Sequence, residues 1–455
     1  MNIPEISLPD FSAADLREAA SVLESCRKPP LPEHGFPCPF IAPGGYYGNM
    51  WWLLDFTLAL TGLRWLEPEF AKQSIRNFES CQKPDGRLPL WGNDRLPDFN
   101  GERLQRTDTS SLPKLFDAVF KIARSSRDED FIRRCETLTS RYLDWWIRNR
   151  KDPETGLFSA VFEETFIPYY GFAGEYAPPD LNAEMLHGFF SCAGLARQTG
   201  QEEKAESLLE QAEELRRVLS RQLWDEETGF FLPLLLREKK HCRTKMVGAF
   251  AALRHKAADS AQRDALIRIL RSPGHFGWGE RGLTSVDRTD PAFTAYTGKY
   301  CGNPCWSGGI WSILNENAVR GLYDCGEYEL AGELAAHTLS LFRKRYCEFM
   351  NPDTGEPSGV PDYAWTAAQC IDMLFSVIFG IDCCAWDGTV TVRPAVPDQW
   401  RGREIALRDL LLPENARLNL VIRCGPEAAI GAEIISADGT ASRSRGNGKL
   451  VLRIP

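Results

Sequence analysis

Histidine is scarce in this chain, with six among 455 residues. No two of them lie three or four positions apart, the spacing that a helical or loop metal site asks for. The fourteen cysteines do not supply CxxC pairs either: Cys301 and Cys305 are separated by three residues, and Cys383 and Cys384 are adjacent. A zinc or iron site is therefore not expected, and no cofactor is required. The chain also lacks a Lys/Arg-rich run, and its net charge is −9. Both features exclude nucleic acid as a partner, because a polyanion needs a basic patch to neutralise it. No apolar stretch reaches membrane-spanning length. The first residues, MNIPEISLPDFSAADLREAA, show neither the basic start nor the apolar run of a secretory leader. Many cysteines without a leader point to free thiols in a reducing, cytoplasmic compartment. Nothing in the sequence addresses oligomeric state.

What is present is ordinary globular material, 43% apolar and 25% charged. The length suggests two or three domains unless a single large helical unit accounts for it. Twelve segments show helical apolar spacing, near residues 14–26, 47–63, 68–82, 110–125, 128–149, 180–198, 202–224, 243–254, 261–271, 307–323, 326–345 and 362–379. Two kinds occur. MWWLLDFTLALTGL (Met50 to Leu63) and LNAEMLHGFFSCAGLA (Leu181 to Ala196) are apolar nearly all round, so they must be buried. EEKAESLLEQAEELRRVLSRQLW (Glu202 to Trp224) has one apolar stripe and belongs outside.

A weak repeat supports that division. DPETGLF (Asp152 to Phe158), DEETGFF (Asp225 to Phe231) and NPDTGEP (Asn351 to Pro357) each follow an amphipathic helix, and KPDGRLP (Lys83 to Pro89) is a shorter version. In each, Asp or Asn opens a turn and Gly lets the chain reverse. Outer helix, turn and inner helix, repeated six times, predict an all-α (α/α)6 toroid of six helical hairpins over residues 1–382. After Asp382 the composition changes. GTVTVRP, EIALRDLLL, ARLNLVIRC, AAIGAEIIS and KLVLRIP alternate apolar and polar residues between turn formers. These predict a small β domain of four or five strands over 383–455, with no catalytic constellation.

Function in such a toroid is expected where the loops entering the inner helices converge. In order they carry Tyr46, Tyr47, Trp51, Trp52, Asp55, Asp108, the segment 162–164, Asp180, Trp306, Trp311, Glu348, Asp362 and Trp365. This rim is rich in Trp and carboxylate. Aromatic faces stack on sugar rings, and paired carboxyls supply the acid and the base of glycosidic hydrolysis. Plainer roles compete at several positions. Asp108, Asp180 and Asp362 stand before helices and read as N-caps. Trp51, Trp52 and Trp145 read as core, and His187 and His275 as ordinary helix and loop residues.

The segments GGYYGNMWWLLD, FGWGERGLTSVDRTDPAF, NPCWSGGIWSILNENAVRGL and CEFMNPDTGEPSGVPDYAWTAA resemble, in this order, segments of the inverting (α/α)6-barrel glycosidases: trehalases, processing α-glucosidases and mannosylglycerate hydrolases. The resemblance spans the helical part and implies hydrolysis of an α-linked glucoside or related small glycoside. By it, Glu348 corresponds to the general base and Asp55 to a carboxylate that binds sugar hydroxyls. Trp306, Trp311 and Trp365 resemble subsite walls; Tyr47, Trp52 and Asp108 are expected to line the substrate from their place on the rim. The family's W-E-S-G-x-D loop, whose Asp is the acid, reads FEETFI here, with Ile167 in place of that Asp. Glu163 keeps the position of the family's Glu, and FEE is similar to the W-E-E of glucoamylases, where the first Glu is the acid. Glu163 is therefore the expected proton donor and Glu164 a ligand to the leaving sugar, with Asp108, Glu164 and Asp180 as rivals for the acid. The arginine of the family's Y-W-R-G-P loop is also absent from CGNPCWSGG. Two other classes stand beside hydrolysis: an epimerase or lyase on the same barrel, which the dearth of histidine disfavours, and a non-catalytic sugar-binding protein that has lost its donor.

Overall fold

The structure, a computed structural model, describes residues 1–48, 50–91, 108–161, 163–167, 175–295 and 306–454. The expectations for Phe162, for Asn303 to Cys305 and for the Tyr46 side chain lie outside the described residues.

The apolar helices are buried as their composition requires. Thirteen positions of the helix Leu53–Leu66 are buried, Arg64 being the exception. The helix Pro179–Gln198 is similarly enclosed. By contrast, the helix Glu202–Gln222 buries only Ala205, Leu208, Ala212, Leu215, Val218 and Leu219, one stripe at helical spacing. The inner elements are Leu53–Leu66, Leu115–Arg124, Pro179–Gln198, Val247–Lys256, Ser312–Asp324 and Ala364–Met373. Each packs on the next, and the last packs on the first. That closing contact is tight: a Cβ at Gly62 would sit 2.6 Å from the Ala368 Cα.

Val247–Lys256 is a 3-10 helix rather than an α-helix, and it breaks at Arg254 (ψ 151°) and His255 (φ +54°). The helix Ala364–Met373 continues through a π turn, Leu374–Ile378. Expected starts at 47, 110, 307 and 362 move inward to Leu53, Leu115, Ser312 and Ala364.

The strand-rich end departs further from expectation, so the fold is not purely α. A five-stranded antiparallel sheet joins Glu404–Leu411, Arg417–Arg423, Ala429–Ile435 and Ala441–Asn447 to an outermost strand, Glu5–Ser7. Residues 5–7 thus pair with the C-terminal sheet. A second sheet pairs Ile381–Cys384, Thr389–Val392 and Leu450–Arg453. Short two- and three-stranded ribbons also link the helices.

The middle of the helical ring is polar. On the helix Pro179–Gln198, Asp180, Glu184 and His187 recur at spacings of four and three and are all buried. Lys114 donates to Glu184 (2.6 Å) and to Asn317. Asp372 accepts from Arg64 (2.8 Å), Trp65 (2.8 Å) and Arg320 (2.5 Å). Nδ1 of His187 lies 2.6 Å from Nε2 of His255, and its Nε2 lies 2.7 Å from Asp117. His187 is therefore part of an interior charge network, not an ordinary helix residue. No described helix is long and apolar enough to cross a membrane.

Candidate active site

Three carboxylates from distant parts of the chain meet at the N-terminal ends of the inner helices. Asp55 lies in the first turn of Leu53–Leu66 and is 6% exposed. The Tyr363 hydroxyl donates to its Oδ1 at 2.8 Å. Burial pushes the Asp55 carboxyl well above its usual range. The Tyr363 hydrogen bond opposes this, and the charges of Glu348 and then Glu163 add to it. Glu163 keeps part of its surface open. Burial, followed by the charge of Glu348, pushes its carboxyl up to about 7. The three groups therefore sense one another.

Glu348 is fixed by its own backbone neighbourhood. Its N–H donates to the Val360 carbonyl (2.9 Å), and the Val360 N–H donates back to its Oε2 (3.0 Å). The turn between them is the NPDTGEP repeat, flanked by the paired strands Phe349–Met350 and Pro357–Ser358. Gly359, at φ +71°, allows the fit. A Cβ there would lie 2.5 Å from Oε2 and 2.8 Å from the Cβ of Glu348.

Aromatic rings connect the carboxylates. Phe166 meets Trp306 edge-on at 4.6 Å, and Trp306 lies 4.2 Å from Trp311. Trp311 stacks on Phe349 beside Glu348 (4.5 Å) and lies 6.1 Å from Trp365. Trp365 meets Tyr363 at 4.8 Å; Tyr363 meets Tyr47 at 6.2 Å; and Tyr47 meets Trp52 at 6.1 Å. Trp52 ends the series against Trp91 at 5.1 Å. The indole N–H groups of Trp91, Trp311 and Trp365 are buried with no hydrogen-bond partner among the described residues. Buried donors of that kind suit the hydroxyls of a bound ligand. Among the expected residues, Tyr47, Trp52, Asp55, Glu163, Trp306, Trp311, Glu348 and Trp365 are thus brought together. Trp91 was missed, although it stands in a loop entering an inner helix and the rule used for the other tryptophans would have found it.

Glu164 has a different place from the one expected. It is fully buried, and both oxygens are occupied. Oε1 accepts from the Ser110 N–H (3.1 Å) and Arg150 Nη2 (2.9 Å), and Oε2 accepts from the Val161 N–H (3.0 Å) and Arg150 Nε (2.7 Å). A carboxylate holding four donors has no room for a sugar hydroxyl, so Glu164 is a loop anchor. Arg150, which the sequence reading passed over, is its partner. Asp180 is equally enclosed and accepts from Thr165 Oγ1 (2.8 and 2.9 Å), the Phe166 N–H (2.7 Å) and the Leu181 N–H (2.8 Å). Neither is a rival for the acid. Asp108 is exposed, with its carbonyl accepting from Arg150 Nη2 at 2.8 Å and its carboxylate 3.8 Å from the same atom. None of the three capping roles is seen: Lys114, Pro178 and Tyr363 occupy the N-cap positions. Trp51 and Trp145 are core residues, as expected. No group of three or more His, Cys, Asp or Glu among the described residues could hold a metal ion.

The sequence matches the family described as mannosylglycerate hydrolase MGH1-like glycoside hydrolase domain over residues 47–165 and 167–366. The chain belongs to that glycoside hydrolase family. A mannosylglycerate hydrolase from Rubrobacter radiotolerans is 28% identical over 408 residues, covering 71% of this chain and 90% of that protein. One from Thermus thermophilus is 30% identical over 153 residues, which is 33% of this chain and only 34% of the relative's length. The crystal structure of a GH63 mannosylglycerate hydrolase, from another strain of Thermus thermophilus and in complex with glucose, superposes with a TM-score of 0.64 at 21% identity, over 79% of this chain and 99% of that one. Family membership favours hydrolysis over the epimerase, lyase and non-catalytic readings. The break in the matched region at residue 166 falls in the loop where FEETFI departs from the motif.

Proposed function

We propose that the chain hydrolyses a small α-linked glycoside with inversion of the anomeric centre, with Glu163 as general acid and Glu348 as general base. The helices form an (α/α)6 toroid of six hairpins, and the aromatic chain from Phe166 to Trp91 lines its mouth. Asp55 and the buried indole N–H groups bind sugar hydroxyls, Tyr47 and the tryptophans Trp52, Trp306, Trp311 and Trp365 pack on sugar faces, and Asp108 stands at the rim. Glu348, oriented by the Val360 N–H, removes a proton from water as that water attacks the anomeric carbon. Glu163 protonates the departing glycosidic oxygen from the other side. Inversion requires about 6.5–9.5 Å between the two carboxyls, room for one water. The single observation that supports this reading best is the setting of Glu163: partly buried, close enough to Glu348 to feel its charge, and pushed up to about 7, where a carboxyl still carries its proton near neutral pH. No cofactor takes part, and neither a nucleic acid nor a membrane partner is involved. All the described cysteines are free thiols, which fits a cytoplasmic site of action.

The test is to incubate the protein with trehalose, kojibiose, isomaltose, mannosylglycerate and glucosylglycerate and to follow the anomeric signal of the fresh product by NMR. Cleavage of at least one, giving the inverted anomer and lost in both Glu163→Gln and Glu348→Gln, is expected. A retained anomer, or no cleavage of any of the five, would overturn it.

A further inference from the structure

The backbone at Glu163 is in the left-handed region, at φ +64°. A side chain other than Gly or Asn holds that conformation only where its surroundings impose it. Two buried carboxylates flank it. Glu164 ties the loop to Ser110, to Val161 and, through Nε and Nη2 of the guanidinium, to Arg150 on the outer helix Glu129–Arg150. Asp180 ties it to the first turn of Pro179–Gln198 by accepting from Thr165 and the Phe166 N–H. The favourable end of that helix's dipole supports the negative charge there. A third tie is the Leu112 N–H, which donates to the carbonyl of Glu163 itself at 3.0 Å.

The residues that make these ties are the ones by which the loop departs from W-E-S-G-x-D. Position 164 is Glu where that motif has Ser, and 165 is Thr where it has Gly. Position 167, where the motif carries its acid, is Ile, and that side chain is 4% exposed and packed in the core. These three departures, out of four that include Phe162 for the motif's Trp, act together. One removes a carboxyl from the loop's end, and the other two add the side chains that lock the loop around Glu163.

We infer that Arg150 with Glu164, and Asp180 with Thr165, are positioning residues that hold the 161–167 loop so that the Glu163 carboxyl faces Glu348. This rests on the reading of Glu163 as proton donor. The ties act on the donor alone, since Glu348 is held by a separate hairpin.

Loss of the ties should therefore harm proton donation more than binding. Removing Arg150 or neutralising Glu164 leaves the other buried charge unpaired and endangers the fold, so the informative variants are Thr165→Val and Thr165→Ala, with melting temperature checked. Each is assayed on the glycoside cleaved by the unmodified protein and on α-mannosyl and α-glucosyl fluoride, whose fluoride leaves with little help from an acid. A roughly ten- to hundredfold fall in kcat on the glycoside is expected, with KM nearly unchanged and the fluoride rate kept. Thr165→Ser, which restores the hydroxyl, should return the lost kcat. Equal losses on glycoside and fluoride, or no loss on either, would overturn the inference. Glu163→Gln serves as the control on the reading beneath it. If that variant loses fluoride and glycoside activity alike, Glu163 is not the donor, and the positioning role falls with it.

Discussion

The hydroxyl of Tyr363 donates to Oδ1 of Asp55 at 2.8 Å, joining the first inner helix to the residue that opens the last. This bond spans 308 positions and lies where the ring of helices closes. It is also the larger of two hydrogen bonds that oppose the upward push of burial on the Asp55 carboxyl.

Tyr363→Phe should therefore weaken sugar binding without unfolding the protein. The loss is one buried hydrogen bond, about 1 kcal/mol in stability. Asp55 would hold its proton to higher pH, so kcat/KM should fall about tenfold and its acidic limb should move upward. Steady-state rates between pH 4 and 9 would show both.

Gly359→Ala should be far more damaging to activity than to stability. The new Cβ would collide with the Glu348 carboxylate at 2.5 Å and with its Cβ at 2.8 Å. Left-handed strain adds about 1–2 kcal/mol. We expect at least a roughly hundredfold fall in kcat, following from about 1 Å of displacement at Glu348. Near-unchanged turnover would show that the base is not held this tightly.

The raised Glu163 carboxyl makes two predictions with opposite signs. Activity needs the proton, so kcat/KM should decline as pH rises through about 7. Stability is governed by the difference from the unfolded chain, in which a Glu ionises near 4.3. Between about 4.3 and 7 the unfolded state loses its proton first, so the folded state loses stability as pH rises. Above 7 the penalty is complete, at most about 4 kcal/mol and less to the extent that solvent reaches the group. Glu163→Gln should thus melt higher than the unmodified protein at pH 8, and the advantage should vanish near pH 4. A melting difference independent of pH would contradict this.

Asp372→Asn probes the polar axis. Burial pushes the Asp372 carboxyl up, but Lys121, Arg320 and Arg64 outweigh it and hold it well below the usual range. Its contribution to stability is therefore present above about pH 4 and is lost as pH falls toward the depressed folded value. Neutralising it strands buried guanidiniums, at a cost of about 3–5 kcal/mol. Calorimetry at pH 7 should show a large drop in melting temperature.

How much of this was legible varies from element to element, for physical reasons. The all-apolar and one-stripe helices announce their burial, and eleven of the twelve expected helical segments contain an α-helix at nearly the expected place. The segment 243–254 fails because small and apolar residues suit both helix types, and only the break at Arg254 and His255 distinguishes them. The strand Ala441–Asn447 escapes because it is polar on both faces, so no alternation marks it. Strand Glu5–Ser7 is too short to show a period, and its partner is some four hundred residues away. The turn and the aromatics around Glu348 were legible, and the structure has both beside it. Glu163 and Glu164 look identical in sequence. Their surroundings diverge because Arg150, fourteen positions before Glu164, pairs with Glu164.

Strand Glu5–Ser7 pairs in register with Ala406 to Arg408. During synthesis it must wait, unpaired, while the intervening residues emerge, some tens of seconds at the usual pace of translation, about 5–20 residues per second. The helical ring can assemble in that interval, but the early strand cannot. Its docking is a late event that reports completion, and a protease able to cut near residue 8 should distinguish nascent from finished molecules.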